Sequence, residues 1–263
     1  MELIGEGYTA EVYSWQEGEI LKLFRKEFPL GGIEKEYEVS KEVERLGIPI
    51  PRVGEIIEYE GRTGIVYERI VGDSLLKLIT ARPWSSGKYS RRLAELQYEL
   101  HQCKAKGLNS YKGSLEWGIQ HSTLTEDQKQ AVLNRLAQLP EGDRLCHGDF
   151  HPGNVLKTKE DYIILDWMTA ACGCPSMDVA RTVMLIKDAG LPGNIPAIAR
   201  LMINRTRRSL AQSYLRNYRK LSGMSREEID HWRLPIIAAR LSEWIPEVER
   251  NAIMKEINDT LQN

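Results

Sequence analysis

Between Cys146 and Trp167 the chain reads Cys-His-Gly-Asp-Phe-His-Pro-Gly-Asn-Val-Leu, then a charged turn, then Tyr-Ile-Ile-Leu-Asp-Trp. Asp149 and Asn154 stand five positions apart in a loop closed by Pro152 and Gly153, and Asp166 ends an apolar run that reads as a buried strand. A magnesium ion takes oxygen ligands in near-octahedral geometry, commonly one or two carboxylates together with phosphates and water. Asn154 and Asp166 suit that role, and Asp149 is left to receive a proton. Phosphoryl transfer is the chemistry these donors fit. Taken singly, Asp and Asn beside Gly or Pro are ordinary turn residues whose side chains bond nearby backbone. Their joint spacing is what points to a site.

The order His-x-Asp, Asn five residues later and a metal Asp at the next strand end is that of the protein-kinase catalytic loop. With His147-Gly148-Asp149 replacing His-Arg-Asp, the stretch resembles the motif of the aminoglycoside phosphotransferase and choline kinase superfamily. The resemblance implies a bilobal, protein-kinase-like α+β fold. Residues 1–72 would form a small antiparallel sheet with one helix, ending in a hinge, and residues 73–263 a larger, mainly helical lobe holding the catalytic loop and acceptor-binding helices. It also implies transfer of the γ-phosphoryl group of ATP to a hydroxyl of a small molecule. ATP would lie between the lobes with Lys22 on its phosphates and Asn154 and Asp166 on magnesium. Asp149 would orient the acceptor hydroxyl and take its proton, while His147 braces the loop.

The elements that must position these groups are legible upstream. Leu3 to Tyr13 alternates into a glycine turn and out again, and Glu19-Ile20-Leu21-Lys22-Leu23-Phe24 is a short apolar strand carrying one lysine. This resembles a glycine-rich phosphate loop followed by the strand of the ATP lysine. Gly5 and Gly7 permit close backbone approach; Ala10 stands where the protein-kinase loop has a third glycine, and Tyr8 and Thr9 would occupy the tip. Lys22 amid apolar residues is costly to bury without a partner, or else it sits exposed at a sheet edge. Ile33, Val39, Val43 and Leu46 have helical spacing, ended by Gly47 and Pro49. Within that helix Glu36 matches the family glutamate that pairs with the lysine; Glu34 and Glu38 are the alternatives two positions away. A further hairpin turns at Gly61 to Gly64. Ile65 to Gly72 resembles the hinge, where the Glu68 carbonyl and Ile70 amide would meet adenine, with Tyr67 at the back of the pocket.

Beyond Asp73 the pattern is helical. Asp73 or Ser74 caps a short helix to Thr80, and Arg91 to Lys106 carries Leu93, Leu96, Leu100 and Cys103 on one face and stops at Gly107. His101 reads as a structural neighbour in that helix. Thr125 to Gln138 is amphipathic and delivers the chain to Leu145. Met177-Asp178-Val179-Ala180-Arg181 matches the family's Asp-Leu-Ala segment, where the aspartate organises the site, although Cys174-Pro175 departs from the usual Asp-Pro. Residues 195–263 form helical segments broken by Gly223 and Pro235, and in this family such helices clasp the acceptor. Arg240, Glu243 and Trp244 combine a charge pair with an aromatic surface as an acceptor contact, or form an ordinary (i, i+3) ion pair.

With 263 residues, 42 % hydrophobic and 28 % charged, the chain has the composition of a soluble globular protein of one or two domains. A net charge of -1 gives no basic field for nucleic acid. No signal-peptide pattern opens it and no stretch approaches the roughly 20 apolar residues of a membrane span, so a cytoplasmic setting with four reduced cysteines is expected. Cys172-Gly-Cys174 lacks zinc-ligand spacing. From Ile186 onward 13 Lys and Arg face 9 Asp and Glu, whereas a pocket for a polycationic aminoglycoside calls for carboxylates. Two other functions share these groups: a protein kinase, disfavoured by the short Trp167 to Pro175 segment, and an idle nucleotide-binding protein, for which loss of Lys22, Asp149, Asn154 or Asp166 would be the sign. All four are present.

Overall fold

The computed structural model describes residues 1–7, 9–188 and 195–262; Tyr8, expected at the glycine-loop tip, lies outside them. In chain order the elements are β1 (Leu3–Glu6), β2 (Ala10–Ser14), β3 (Glu19–Phe24), α1 (Leu30–Arg45), β4 (Val53–Tyr59), β5 (Arg62–Glu68), β6 (Asp73–Ser74), α2 (Leu75–Ala81), α3 (Ser86–Leu100), α4 (Tyr111–Gln120) and α5 (Glu126–Ala137). They continue as β7 (Arg144–Cys146), β8 (Val155–Lys157), β9 (Tyr162–Ile164), β10 (Ala171–Gly173), α6 (Pro175–Asp188), α7 (Ala197–Ser222), α8 (Arg226–Asp230), α9 (Arg233–Arg240) and α10 (Glu247–Gln262). The architecture is α+β. Among the described residues no helix is long and apolar enough to cross a membrane.

Two compact units emerge: Met1–Leu78 with Gly153–Ala170, and Ile79–Pro152 with Ala171–Asn263. Asp73–Leu78 and Gly153–Ala170 thus group with the N-terminal sheet.

The first unit is built on an antiparallel sheet of order β1-β2-β3-β5-β4. Strand side chains alternate between faces, so Leu21 and Leu23 pack with Val66 on one side, while Phe24 joins Ala10, Ile33, Val53 and Ile65 on the side of α1. Lys22 shares the parity of Phe24 and lies over its ring at 5.6 Å. Because β3 is the central strand, Lys22 is not at an edge. The stripe of α1 that faces the sheet is Ile33, Glu36, Val39, Ser40 and Val43; Glu36 is the one charged group on it, and Glu34 and Glu38 are exposed. The β4–β5 turn is tighter than expected. Glu60 and Gly61 both have positive φ, 50° and 70°, as a two-residue hairpin of matching twist requires. Gly64 lies inside β5, where a Cβ would meet Leu21 Cδ1 at 2.7 Å.

In the second unit α6 is the central element, buried over most of its length and contacting α7, α8 and α9. α3 starts and ends earlier than its apolar stripe suggests. His101 caps it, and the chain then turns so that Cys103 O accepts from Leu145 N at 3.0 Å, laying that segment beside β7. α4, capped by Ser110, was not anticipated. Thr125 and Gln128 form the capping box of α5. Gly223, at φ 74°, ends α7 as expected. Pro235 breaks nothing: it falls in the first turn of α9, where a missing N–H leaves no helical bond unmade.

Candidate functional site

In the first unit three charges meet. Lys22 Nζ lies 2.6 Å from Glu36 Oε1 and 3.2 Å from Asp166 Oδ1. The Tyr67 hydroxyl donates to the same Glu36 oxygen at 3.1 Å, and Ser40 stands 3.5 Å from that hydroxyl. Burial pulls the Lys22 ammonium down, and Asp166 and Glu36 more than offset it, so its pKa ends raised. Burial raises the Glu36 carboxyl, reinforced by Asp166 and opposed by Lys22 and Tyr67. Tyr67, expected at the back of the pocket, also holds the glutamate; sequence spacing carried no sign of that link.

Asp166 is delivered by a hairpin. Val155 pairs with Ile164, and Leu165 N donates to Asn154 O at 2.8 Å, so Asn154 enters the hairpin where Asp166 leaves it. Asp166 adopts a left-handed backbone, φ 61°, tolerated by Asp better than by most residues. Its side chain is 41 % exposed. An amide and a carboxylate oxygen at this hairpin end are the hard donors magnesium prefers, and they fit that ion.

Around the glycine turn, Gly5 sits in β1 opposite Val12 rather than at the tip. Gly7 and Thr9, with Glu6, Arg25, Glu27 and Phe28, line a cavity of about 620 Å³. Arg25, which no motif in the sequence marks, donates to Gly7 O at 3.3 Å and to Glu6 at 2.8 Å. Glu68 ends β5 with its carboxylate accepting from Arg52 N, and Ile70 follows in irregular backbone.

The second unit holds the Asp149 loop. His147 is fully buried, its Nδ1 accepts the Asp149 N–H at 3.2 Å, and its ring meets Phe150 edge-on. His151 Nε2 stands 3.7 Å from Asp149 Oδ2. Burial alone would raise the Asp149 carboxyl, but His151, then Arg181 and His147, hold it far below the usual carboxylate range. Asp149 is therefore an anion at neutral pH.

Asp178 anchors this loop. Its oxygens accept from His147 N (3.0 Å), Gly148 N (2.8 Å), Gln97 Nε2 (2.9 Å) and His101 Nε2 (3.1 Å). Despite burial, His101 and Gln97 lower its pKa to about 2. His101, Cys146 and Asp178 cluster as metal ligands would. Yet Asp178 already takes four donors, His101 Nδ1 is engaged by Tyr218 at 2.5 Å, and burial pushes the Cys146 thiol up. The cluster is a hydrogen-bond hub. Cys172 and Cys174 turn to separate partners, Gly142 O and Ser176.

The expected acceptor residues are mutually engaged. Glu243 bridges Arg181 (2.9 Å) and Arg240, and Arg240 also holds Glu249 at 3.0 Å, while Trp244 is 68 % exposed. The partners Arg181 and Glu249 were not singled out, and their separation along the chain left no local pattern to find them by.

The sequence model of the phosphotransferase enzyme family matches residues 1–223. Amicoumacin kinase hAmiN, in complex with AMP-PNP, Ca2+ and Ami, is similar with a TM-score of 0.63 and 15 % identity over 98 % of this chain and 87 % of that one. A thermostable mutant of aminoglycoside phosphotransferase APH(4)-Ia, in ternary complex with ADP and hygromycin B, gives 0.66 and 17 % over 97 % and 90 %. A choline/ethanolamine kinase family protein from Mesorhizobium loti gives 0.61 and 16 % over 100 % and 88 %. No curated protein sequence matches significantly. With a family model spanning most of its length and a fold shared with these kinases, the chain belongs to the phosphotransferase enzyme family.

Proposed function

We propose that this phosphotransferase moves the γ-phosphoryl group of ATP to a hydroxyl of a small molecule. The observation that carries the reading is Lys22 held between Glu36 and Asp166 in the middle of the sheet. A half-buried ammonium kept charged by two carboxylates, one of them exposed, is a preset partner for phosphate oxygens. Gly7 and Thr9, with Arg25 beside them, supply backbone and positive charge from the glycine turn, and the irregular segment after Glu68 offers backbone to adenine. Asn154 and Asp166 would hold magnesium. That ion, when bound, neutralises charge on the phosphates.

Asp149 orients the acceptor hydroxyl. A carboxylate held so low is a weak base toward an alcohol, so its main work is alignment, with the proton arriving on Oδ as transfer proceeds. His147 keeps the loop in register by taking the Asp149 N–H. The acceptor is a small molecule, a reading supported by relatives solved with hygromycin B and amicoumacin. The basic balance after Ile186 favours acceptors other than polycationic aminoglycosides, and Trp244 is the exposed surface on which a planar or apolar acceptor could stack.

The test is a panel of hydroxylated metabolites and antibiotics with magnesium and ATP. Phosphorylation of at least one acceptor is expected. Asp149→Asn should then lower kcat by about 10²- to 10⁴-fold while nucleotide binding persists. Nucleotide binding with no transfer to any acceptor would defeat the reading in favour of an idle binding protein, and parental turnover by Asp149→Asn would remove Asp149 from its role.

A further inference from the structure

One helix holds both peptide groups that flank Gly148, the residue ahead of Asp149. The Gly148 N–H donates to Asp178 Oδ1, and the Gly148 carbonyl accepts from Nε of Arg181, three residues further along α6. The Tyr111 hydroxyl reaches the same carbonyl at 3.5 Å. Gly148 has φ 78°, so the loop turns through a left-handed residue whose two peptide groups are both fixed by α6. Arg181 is 7 % exposed, and an arginine so buried needs a counter-charge. Glu243 provides it at 2.9 Å from Nη2, reaching in from the segment between α9 and α10. The second oxygen of Glu243 is held by Arg240, which in turn holds Glu249 of α10. Charge alternates without a break from the Asp149 loop to α10.

We propose that Arg181 is a positioning residue for phosphoryl transfer, holding the Gly148 carbonyl and with it the Asp149 carboxylate. Glu243 makes that hold depend on the segment between α9 and α10, where Trp244 stands exposed. The proposal rests on Asp149 being the group that meets the acceptor hydroxyl. Its logic is geometric: a misplacement of about 1 Å in a reacting group costs on the order of 10²-fold in rate, and the Gly148 peptide directly sets where Asp149 begins. Charged or titratable groups facing Asp149 include His151, Arg181 and His147, so Arg181 also contributes to keeping it ionised.

Full-length Arg181→Gln, Arg181→Lys and Glu243→Gln separate this role from simple scaffolding. Hydrogen exchange at neutral pH, without nucleotide or acceptor, should show the Gly148 and Asp149 amides losing about tenfold protection in Arg181→Gln while α5 amides such as Val132 keep theirs. With magnesium, ATP and the acceptor returned by the panel, or water if none is, kcat should fall about 10- to 100-fold with the KM for ATP within about twofold. The acid limb of the kcat profile should move to higher pH, since Asp149 loses a cation that lowers its pKa. Glu243→Gln should do the same more weakly, and Arg181→Lys should fall between. Parental exchange and kcat in folded Arg181→Gln would overturn the proposal, as would an effect confined to the acceptor KM. If Arg181→Gln does not fold, Glu243→Gln decides, because Glu243 is 35 % exposed. If neither parent nor variant turns over, the phosphotransferase reading fails, and the exchange data still judge the clamp: unchanged protection in Glu243→Gln rejects it.

Discussion

Burial alone would lower the pKa of Lys22, but Asp166 and Glu36 flank it and leave it raised. The arrangement costs stability as well as supplying it: among the described residues Glu36 Oε2 is buried without a hydrogen-bond partner, a deficit of about 1–3 kcal/mol. Lys22→Met should therefore do more than abolish nucleotide turnover. It leaves a carboxylate that is 2 % exposed beside Asp166 with no cation, and breaking such a pair typically costs about 3–5 kcal/mol. The sign of the pH dependence follows from the raised Glu36 pKa. A carboxyl whose folded pKa lies above its ordinary value of 4.5 contributes stability that is full below that value and lost as pH rises through the folded pKa. The penalty of Lys22→Met should thus be larger at pH 8 than at pH 5, and Lys22→Met with Glu36→Gln should erase the difference. Denaturant unfolding at the two pH values checks this; an equal loss at both would mean that Glu36 is not left ionised and unpaired.

At the scale of elements, α6 gathers what the loops cannot fix by themselves. Asp178 enters it in the first turn and binds both peptide N–H groups of His147 and Gly148. Its pKa, lowered from 3.8 to about 2 in a fully buried site, gives a stabilisation of about 2 kcal/mol that is present above pH 3.8 and lost as pH falls toward 2. Asp178→Asn should remove it, since one amide oxygen cannot serve four donors. The variant should be destabilised at pH 7 by at least that amount and approach the parent near pH 2, as followed by far-ultraviolet circular dichroism; a constant gap across that range would show that Asp178 titrates normally. This element also marks how far the sequence could be read. β3 and the apolar run before Asp166 declared themselves through local alternation, and Glu36 through its match to the family's helix glutamate, with Glu34 and Glu38 left as alternatives until the buried stripe of α1 excluded them. The end of α3 did not, because it is decided by the Cys103–Leu145 backbone bond. Nor did the Tyr67–Glu36 or Arg181–Glu243 links, which join residues 31 and 62 positions apart. Pro235 misled for a different reason: only the start of α9, known from the structure, turns a breaker into a first-turn residue.

For the whole molecule the order of the chain and the order of its packing differ. The sheet unit is discontinuous, taking Gly153–Ala170 from far along the sequence. That segment gives β8, which pairs with β6 through Lys157 and Asp73, and β9, which pairs with β8. Ile164 N donates to Pro49 O at 3.0 Å, and Asp166 reaches Lys22. Val155, Ile164 and Trp167 are buried there. Removing the segment strips the unit of three large apolar side chains, each worth about 1.5–3 kcal/mol when fully buried, against a stability that small domains hold by only about 5–15 kcal/mol. Residues 1–78 expressed alone should therefore melt broadly and bind an apolar dye. Joining 153–170 to Leu78 through a flexible Gly/Ser linker should restore a cooperative transition, and Asp166→Ala in that joined chain should weaken it again by freeing Lys22 from one of its two carboxylates. Calorimetry on the three chains gives the answer: if residues 1–78 already unfold as cooperatively as the joined chain, the hairpin is a passenger on the sheet, and its role is confined to presenting Asn154 and Asp166.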